Sequence, residues 1–317
     1  MKLIAILLTL GMLAVSGWAQ NGEYEPYSAE LVKKAEAGDA NGQFGLGDCY
    51  YFGYGVAKDY KEAVKWYTKS ADQGNANGQA SLGFCYAAGK GVAQDYIEAI
   101  KWITKSAEQG NVKGQNNLAT CYYFGKGVAQ DYEEAVKWYT KAAEQGSQEA
   151  QRGLGICYAS GEGVTKDYKE AVKWYTKAAE QGDAHAQSRL GSCYAVGDGV
   201  AKDYIEAVKW YTKSADQGNA SGQFGLGGCY YFGYGVAQDY KEAVKWYTKS
   251  AEQGDANGQF GLGGCYLSGH GVAKDYKEAA KWYTKSAEQG NVSAFKGLEL
   301  MLKHELIQSI TLRRPKE

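Results

Sequence analysis

Seven cysteines, three histidines and forty-three glycines are the residues of this 317-residue chain whose types could do chemistry. A cysteine becomes a nucleophile when a nearby base or a depressed pKa produces thiolate. Thiols and imidazoles together can hold zinc when about four of them converge. Glycine-rich turns can cradle phosphate. The stretch GQFGLGDCYYFGYGV, from Gly42 to Val56, combines glycines with Cys49 and so raises two of these possibilities at once.

The spacings do not support them. A phosphate loop reads G-x-x-x-x-G-K-[ST]. Gly42 and Gly47 have the interval, but Asp48 and Cys49 follow. The Gly-Lys-Gly runs at Gly89 and Gly125 put glycine where a hydroxyl should hold magnesium. A dinucleotide fingerprint would need glycine at position 50, which is Tyr50, and a preceding strand. His185, His270 and His304 occupy three different places in the sequence pattern, so no cysteine has a recurring basic neighbour. No catalytic, metal or cofactor residue is expected, and the cofactor expectation is none.

The elements that carry these residues recur. Cys49, Cys85, Cys121, Cys157, Cys193, Cys229 and Cys265 are each 36 residues apart, and the tryptophans from Trp66 to Trp282 keep the same step. Seven units follow without insertion: 39–74, 75–110, 111–146, 147–182, 183–218, 219–254 and 255–290. Units 39–74 and 219–254 differ at only five positions, 39, 41, 48, 58 and 72, which points to duplication within the gene. A fixed period of this length is the mark of a solenoid.

Each unit carries two helix signatures. The first opens on a capping residue, such as Asp39 or Asn75, whose side-chain oxygen can accept an orphan N–H. The second opens at Asp59 with Glu62 three residues on, the spacing of a capping box. It stops at Gly74, a residue suited to the left-handed position after a helix. Helical spacing puts Tyr60, Ala63, Val64, Tyr67 and Ala71 on one stripe, with Lys61, Glu62, Lys65 and Lys69 opposite. In the first helix Gln43, Leu46, Gly47 and Tyr50 form the inner stripe, and Cys49 is expected to be inert packing.

The run LGDCYYFGYGVAKDYKEAVKWYTKSADQG resembles the Sel1-like repeat, a relative of the tetratricopeptide repeat. The likeness covers residues 39–290, with Ala119 and Ile103 as small departures. It implies an all-α fold, a right-handed α-solenoid of seven 36-residue helix-turn-helix repeats, with a concave protein-binding surface. Bacterial relatives are mostly adaptors, often exported. Some exported relatives have two cysteines per unit, joined across the two helices. This chain has one per unit, so its cysteines are expected to stay reduced.

Composition and termini set the rest. A formal net charge of -1 gives no reason to expect nucleic acid. Lys2, the apolar run Leu3 to Val15 and Gly17-Trp18-Ala19 read as a signal peptide over residues 1–19, cleaved after Ala19, with no membrane span in the mature chain. Residues 20–38 match the second half of a unit and 291–317 begin a capping helix. The expected location is the periplasm or the medium.

Recognition belongs to positions that differ between units. On the first helix these are expected to face a groove, and they collect aromatics and arginines, the usual anchors of a binding surface. The candidates are Phe44, Asp48, Tyr51, Phe52, Phe84, Tyr123, Phe124, Arg152, Arg189, Phe224, Tyr231, Phe232 and Phe260. The leading expectation is an exported, non-enzymatic scaffold that binds a protein or peptide on its concave face. The alternatives are a cell-wall hydrolase or β-lactamase-like protein, suggested by some relatives, and a peptidoglycan or carbohydrate binder.

Overall fold

The computed structural model describes residues 27–304 and residue 306. The expected signal peptide and the end of the tail lie outside them. Sixteen helices and no strand occupy the described residues. They are a short N-terminal helix, Ala29–Glu36, seven helix pairs of which Ala40–Phe52 and Tyr60–Asp72 are the first, and a C-terminal helix, Val292–Lys303. The fold is an α-solenoid of seven 36-residue units. The chain divides into two compact bodies at Lys166 and Asp167.

Local sequence makes each helix. The side chain of Asp39 accepts the N–H of Gly42 at 2.6 Å, and Asn75, Asn111, Ser147, Asp183, Asn219 and Asp255 repeat the bond at their own helices. Asp59 caps the second helix by accepting from Lys61 and Glu62. The capping box expected there closes only on this side. The N–H of Asp59 donates to Tyr50 O of the first helix at 2.9 Å, and Glu62 is left to pair with Lys65 at 2.6 Å. The start of the second helix is thereby tied to the end of the first.

The second helix ends as its glycine predicts. Gly74 adopts φ +86°, its N–H donates to Ala71 O, and Asn75 N–H donates to Ser70 O. This paired arrangement satisfies carbonyls that the last turn would leave orphaned.

Two buried networks hold the helices together, one between successive units and one within each unit. In the N-terminal body Gln79 Nε2 donates to Ala71 O of the preceding unit at 3.3 Å, while Gln109 Nε2 donates to Gln79 Oε1 at 2.7 Å. Gln115 and Gln145 repeat the pair one unit on, and in the C-terminal body Gln223 and Gln253 do the same. Ser106 Oγ donates to Ala76 O at 2.7 Å, and Ser250 Oγ to Ala220 O at 2.9 Å, each joining the two helices of one unit. Buried amides that leave no atom unpaired are worth keeping, because a half-satisfied one costs about 1–3 kcal/mol.

The C-terminal helix breaks this scheme at two places. Phe295 stands at the position of the network glutamine, and Glu299 at the position where Gly263 lies so close to Tyr283 that a Cβ would come within 2.6 Å of its ring. A further second helix would have neither its amide partner nor room to approach. Leu298 and Met301 are buried against Tyr283 and Ala287, so the helix closes the last core.

Candidate functional site

The first helix is covered on more faces than its stripe suggests. Gly42, Gln43, Leu46, Gly47, Asp48, Cys49 and Tyr51 are all buried in Ala40–Phe52. Small residues allow this, since neighbouring helices come close on several sides. A Cβ on Gly47 would sit 2.6 Å from the Tyr67 ring, and one on Gly78 would sit 2.5 Å from Ser70 Oγ.

That coverage corrects the expected exposure of three candidates. Asp48 is buried and accepts a 2.6 Å hydrogen bond from Tyr67 Oη. Tyr51 is buried beneath Phe52, Tyr60 and Phe84. Arg152 is buried too, close enough to Tyr139 for its charge to act on the phenol. These side chains brace the wall and do not line an open groove. Phe44, Phe52, Phe84, Tyr123, Phe124, Phe224, Tyr231 and Phe260 are half-buried, and only Arg189 and Phe232 are exposed. Phe44, Phe224 and Phe260 lie 6.2, 5.8 and 5.5 Å from Tyr67, Tyr247 and Tyr283, so each fills space over the wall tyrosine of its own unit's core.

The remaining aromatics gather where the first helix ends and the turn begins. Tyr123 meets Phe124 at 4.9 Å and Tyr132 at 5.1 Å. Tyr231 repeats this with Phe232 at 4.9 Å and Tyr240 at 5.2 Å. The next unit's turn drops onto this pair, because its second glycine packs against the carbonyl of the preceding Tyr60 or its equivalent. The residue between the turn glycines therefore rests on the tyrosines. It is Lys90, 5.2 Å over Tyr60, and Lys126, 5.5 Å over Tyr96. Glu162 accepts from Tyr123 Oη at 2.5 Å. Tyr234 stacks on Tyr204 at 4.5 Å, and His270 stacks on Tyr240 at 4.3 Å while bonding Tyr231 Oη at 2.9 Å. This position varies in charge and shape from unit to unit. Its variation is visible in the sequence, but only the contact between successive units shows that it matters.

The cysteines are buried throughout. Burial pushes the thiols of Cys85, Cys121, Cys157 and Cys265 up to about 12, and those of Cys193 and Cys229 up to about 11. Thiolate is the reactive form. At pH 8 the native protein should therefore show no fast-reacting thiol among these six toward a disulfide reagent, and the reaction should speed up on unfolding. More than one thiol titrating within seconds in the native protein would contradict this.

One Ser-x-x-Lys spacing occurs, at Ser293 and Lys296. Both stand exposed on the C-terminal helix, away from any enclosed cleft of the cores beneath it. Among the described residues, no group of three or more His, Cys, Asp or Glu side chains is placed to hold a metal ion, and no helix is long and apolar enough to cross a membrane.

The family model described as Sel1 repeat matches residues 40–75, 76–111, 112–147, 148–183, 184–219, 220–255 and 256–291. A protective antigen of uropathogenic Escherichia coli, displaying an SLR fold, is similar to this chain at 39% identity with a TM-score of 0.62. The match covers 86% of this chain and 67% of the antigen. A Sel1 repeat protein from Oxalobacter formigenes is 35% identical with a TM-score of 0.65, over 86% of this chain and 79% of its own. No curated protein matches.

Proposed function

The chain belongs to the Sel1 repeat family, a protein–protein interaction scaffold fold, and on that premise we propose that it is an exported adaptor that holds a protein or peptide without turnover. The observation that carries this reading is the half-buried or exposed aromatic that ends a first helix in each body, Phe52 and Phe124 in the N-terminal one and Phe232 in the C-terminal one. A core does not need its aromatics at the edge, whereas a binding surface uses them as anchors. The concave face is the proposed seat of the partner. Phe44, Phe84, Tyr123, Arg189, Phe224, Tyr231 and Phe260 are proposed as its flanks, and the buried Asp48, Tyr51 and Arg152 as the residues that keep those flanks in place. Residues 1–19 are proposed as the cleaved export signal, with the adaptor acting outside the cytoplasm.

The test is crosslinking capture in the native envelope with quantitative mass spectrometry. A protein enriched on wild type should be lost when Phe52, Phe124 and Phe232 are all replaced by alanine, with circular dichroism and Tm nearly unchanged. If helicity falls together with capture, those rings are packing and the reading fails. A nitrocefin assay should show no hydrolysis above buffer.

A further inference from the structure

Asparagine followed by glycine is a reactive pair in water. The glycine nitrogen can attack Cγ of the asparagine side chain, because a residue without a Cβ leaves the approach open. Among the described residues the pair occurs three times, at Asn41-Gly42, Asn77-Gly78 and Asn257-Gly258. All three asparagines are exposed. Each lies in the same run, Ala-Asn-Gly-Gln, as the second residue of a first helix: Ala40–Phe52, Ala76–Ala88 and Ala256–Ser268. Their intrinsic reactivities are therefore alike, and any difference between them in the folded chain comes from structure.

The fold restrains both reacting groups. The cap holds the nitrogen: Gly42, Gly78 and Gly258 donate their N–H to the side chains of Asp39, Asn75 and Asp255 at 2.6, 2.9 and 2.7 Å. A nitrogen in that bond keeps the proton it must lose, and the formed first turn keeps it from swinging toward the side chain. The next unit's cap holds the side chain. Asn75 Nδ2 donates to Asn41 Oδ1 at 2.7 Å, and Asn111 Nδ2 donates to Asn77 Oδ1 at 2.7 Å. Asn291 Nδ2 comes only within 3.4 Å of Asn257 Oδ1, beyond the usual range of about 2.7–3.2 Å for such a bond. That junction is the one whose next helix carries Phe295 in place of the network glutamine. Helix ends open locally at little cost. When the first turn opens, Asn41 and Asn77 are still held by a second bond, and Asn257 is held by a weak one.

We propose that Asn257 is a self-modification site, at which the folded chain deamidates ahead of Asn41 and Asn77. The Gly258 nitrogen bonds to Asn257 Cγ, the Cγ–Nδ2 bond breaks, and ammonia leaves carrying the proton that the nitrogen gave up. Water then opens the five-membered imide at one of its two carbonyls. One opening gives aspartate, whose charge suits a helix N-terminus. The other gives isoaspartate, which lengthens the backbone by a methylene and breaks the first turn of the last unit. Water is the only co-reactant.

The test incubates the full folded chain at pH 8 and follows the three sites by peptide mass spectrometry. Asn257 should deamidate at least threefold faster than Asn41 or Asn77. In chain kept unfolded by guanidinium, the three rates should agree within twofold. Asn75→Ser keeps a capping side chain, as Ser147 does naturally, but removes the Nδ2 donor. It should bring Asn41 to within twofold of Asn257 and leave Asn257 unchanged, with the circular dichroism of wild type. Asn111→Ser is the same exchange for Asn77 and repeats the test should the first variant fold poorly. Equal rates in the folded chain, or an order that persists after unfolding, overturns the proposal. So does an asparagine that stays slow in a folded chain whose donor has been removed.

Discussion

Gly127→Ala is expected to destabilise the N-terminal body by about 3 kcal/mol or more, whereas Gly110→Ala, in the turn before it, should cost only about 1 kcal/mol. Both glycines adopt the left-handed backbone, at φ +73° and +84°. They differ in what a methyl group would meet. At Gly110 nothing lies within 4 Å. At Gly127 the Cβ would sit 2.3 Å from Tyr96 O, and that carbonyl belongs to the first residue of a capped helix and has little freedom to retreat. The comparison separates conformational strain from steric exclusion. Urea unfolding of the two variants, followed by circular dichroism, measures the difference. Similar midpoints would mean that the turn yields, and that the close contact between successive units is not required.

Removing the buried amide is the second large effect. Gln115→Ala should cost about 2–4 kcal/mol, from lost packing together with two lost buried hydrogen bonds. Gln115 is buried, donates to Ala107 O of the preceding unit at 3.4 Å, and accepts from Gln145 Nε2 at 2.8 Å. Gln145 keeps other acceptors, Gly110 O and Lys141 O, and Ala107 O keeps the N–H of Gly110 at 3.0 Å, so the cost is chiefly lost packing and the two lost amide hydrogen bonds. The double variant Gln115→Leu with Gln145→Leu should recover part of the loss, because an apolar pair leaves less unsatisfied than a single deletion. Hydrogen exchange should place the weakened protection at the junction of the two units rather than throughout the chain, as expected where each repeat touches only its neighbours. Uniform loss of protection would argue that the junctions are not the unit of stability.

The caps and periods were legible because their physics is local. Asp39 caps Gly42 across three residues, and Gly74 turns the chain with bonds to Ala71 and Ser70. Nothing distant alters such choices. The capping box at Asp59 shows where that ends: the pattern was present, yet Tyr50 O of the neighbouring helix took the N–H and freed Glu62 for Lys65. The exposure of the candidate site was legible least. A helical wheel assumes one covered face, but the first helix is flanked by its own second helix and by neighbouring units, and its glycines let all of them approach. Asp48, Tyr51 and Arg152 are buried for that reason, while Phe232, drawn from the same set, is open.

By itself the sequence determined the seven-fold repeat, the two helices of each unit, their ends, and the absence of any phosphate loop or recurring nucleophile–base pair. Each of those follows from interactions within a few residues, repeated until chance is excluded. Only the tertiary structure decided which variable residues are reachable and which are braces. That depends on groups 19 to 39 residues apart: Asp48 meets Tyr67 when the two helices of one unit pack, and Tyr231 meets His270 only when one unit's turn lands on the unit before it. The long-range contact also turned the residue between the turn glycines, unremarkable in the chain, into the place where successive units differ most in what they present.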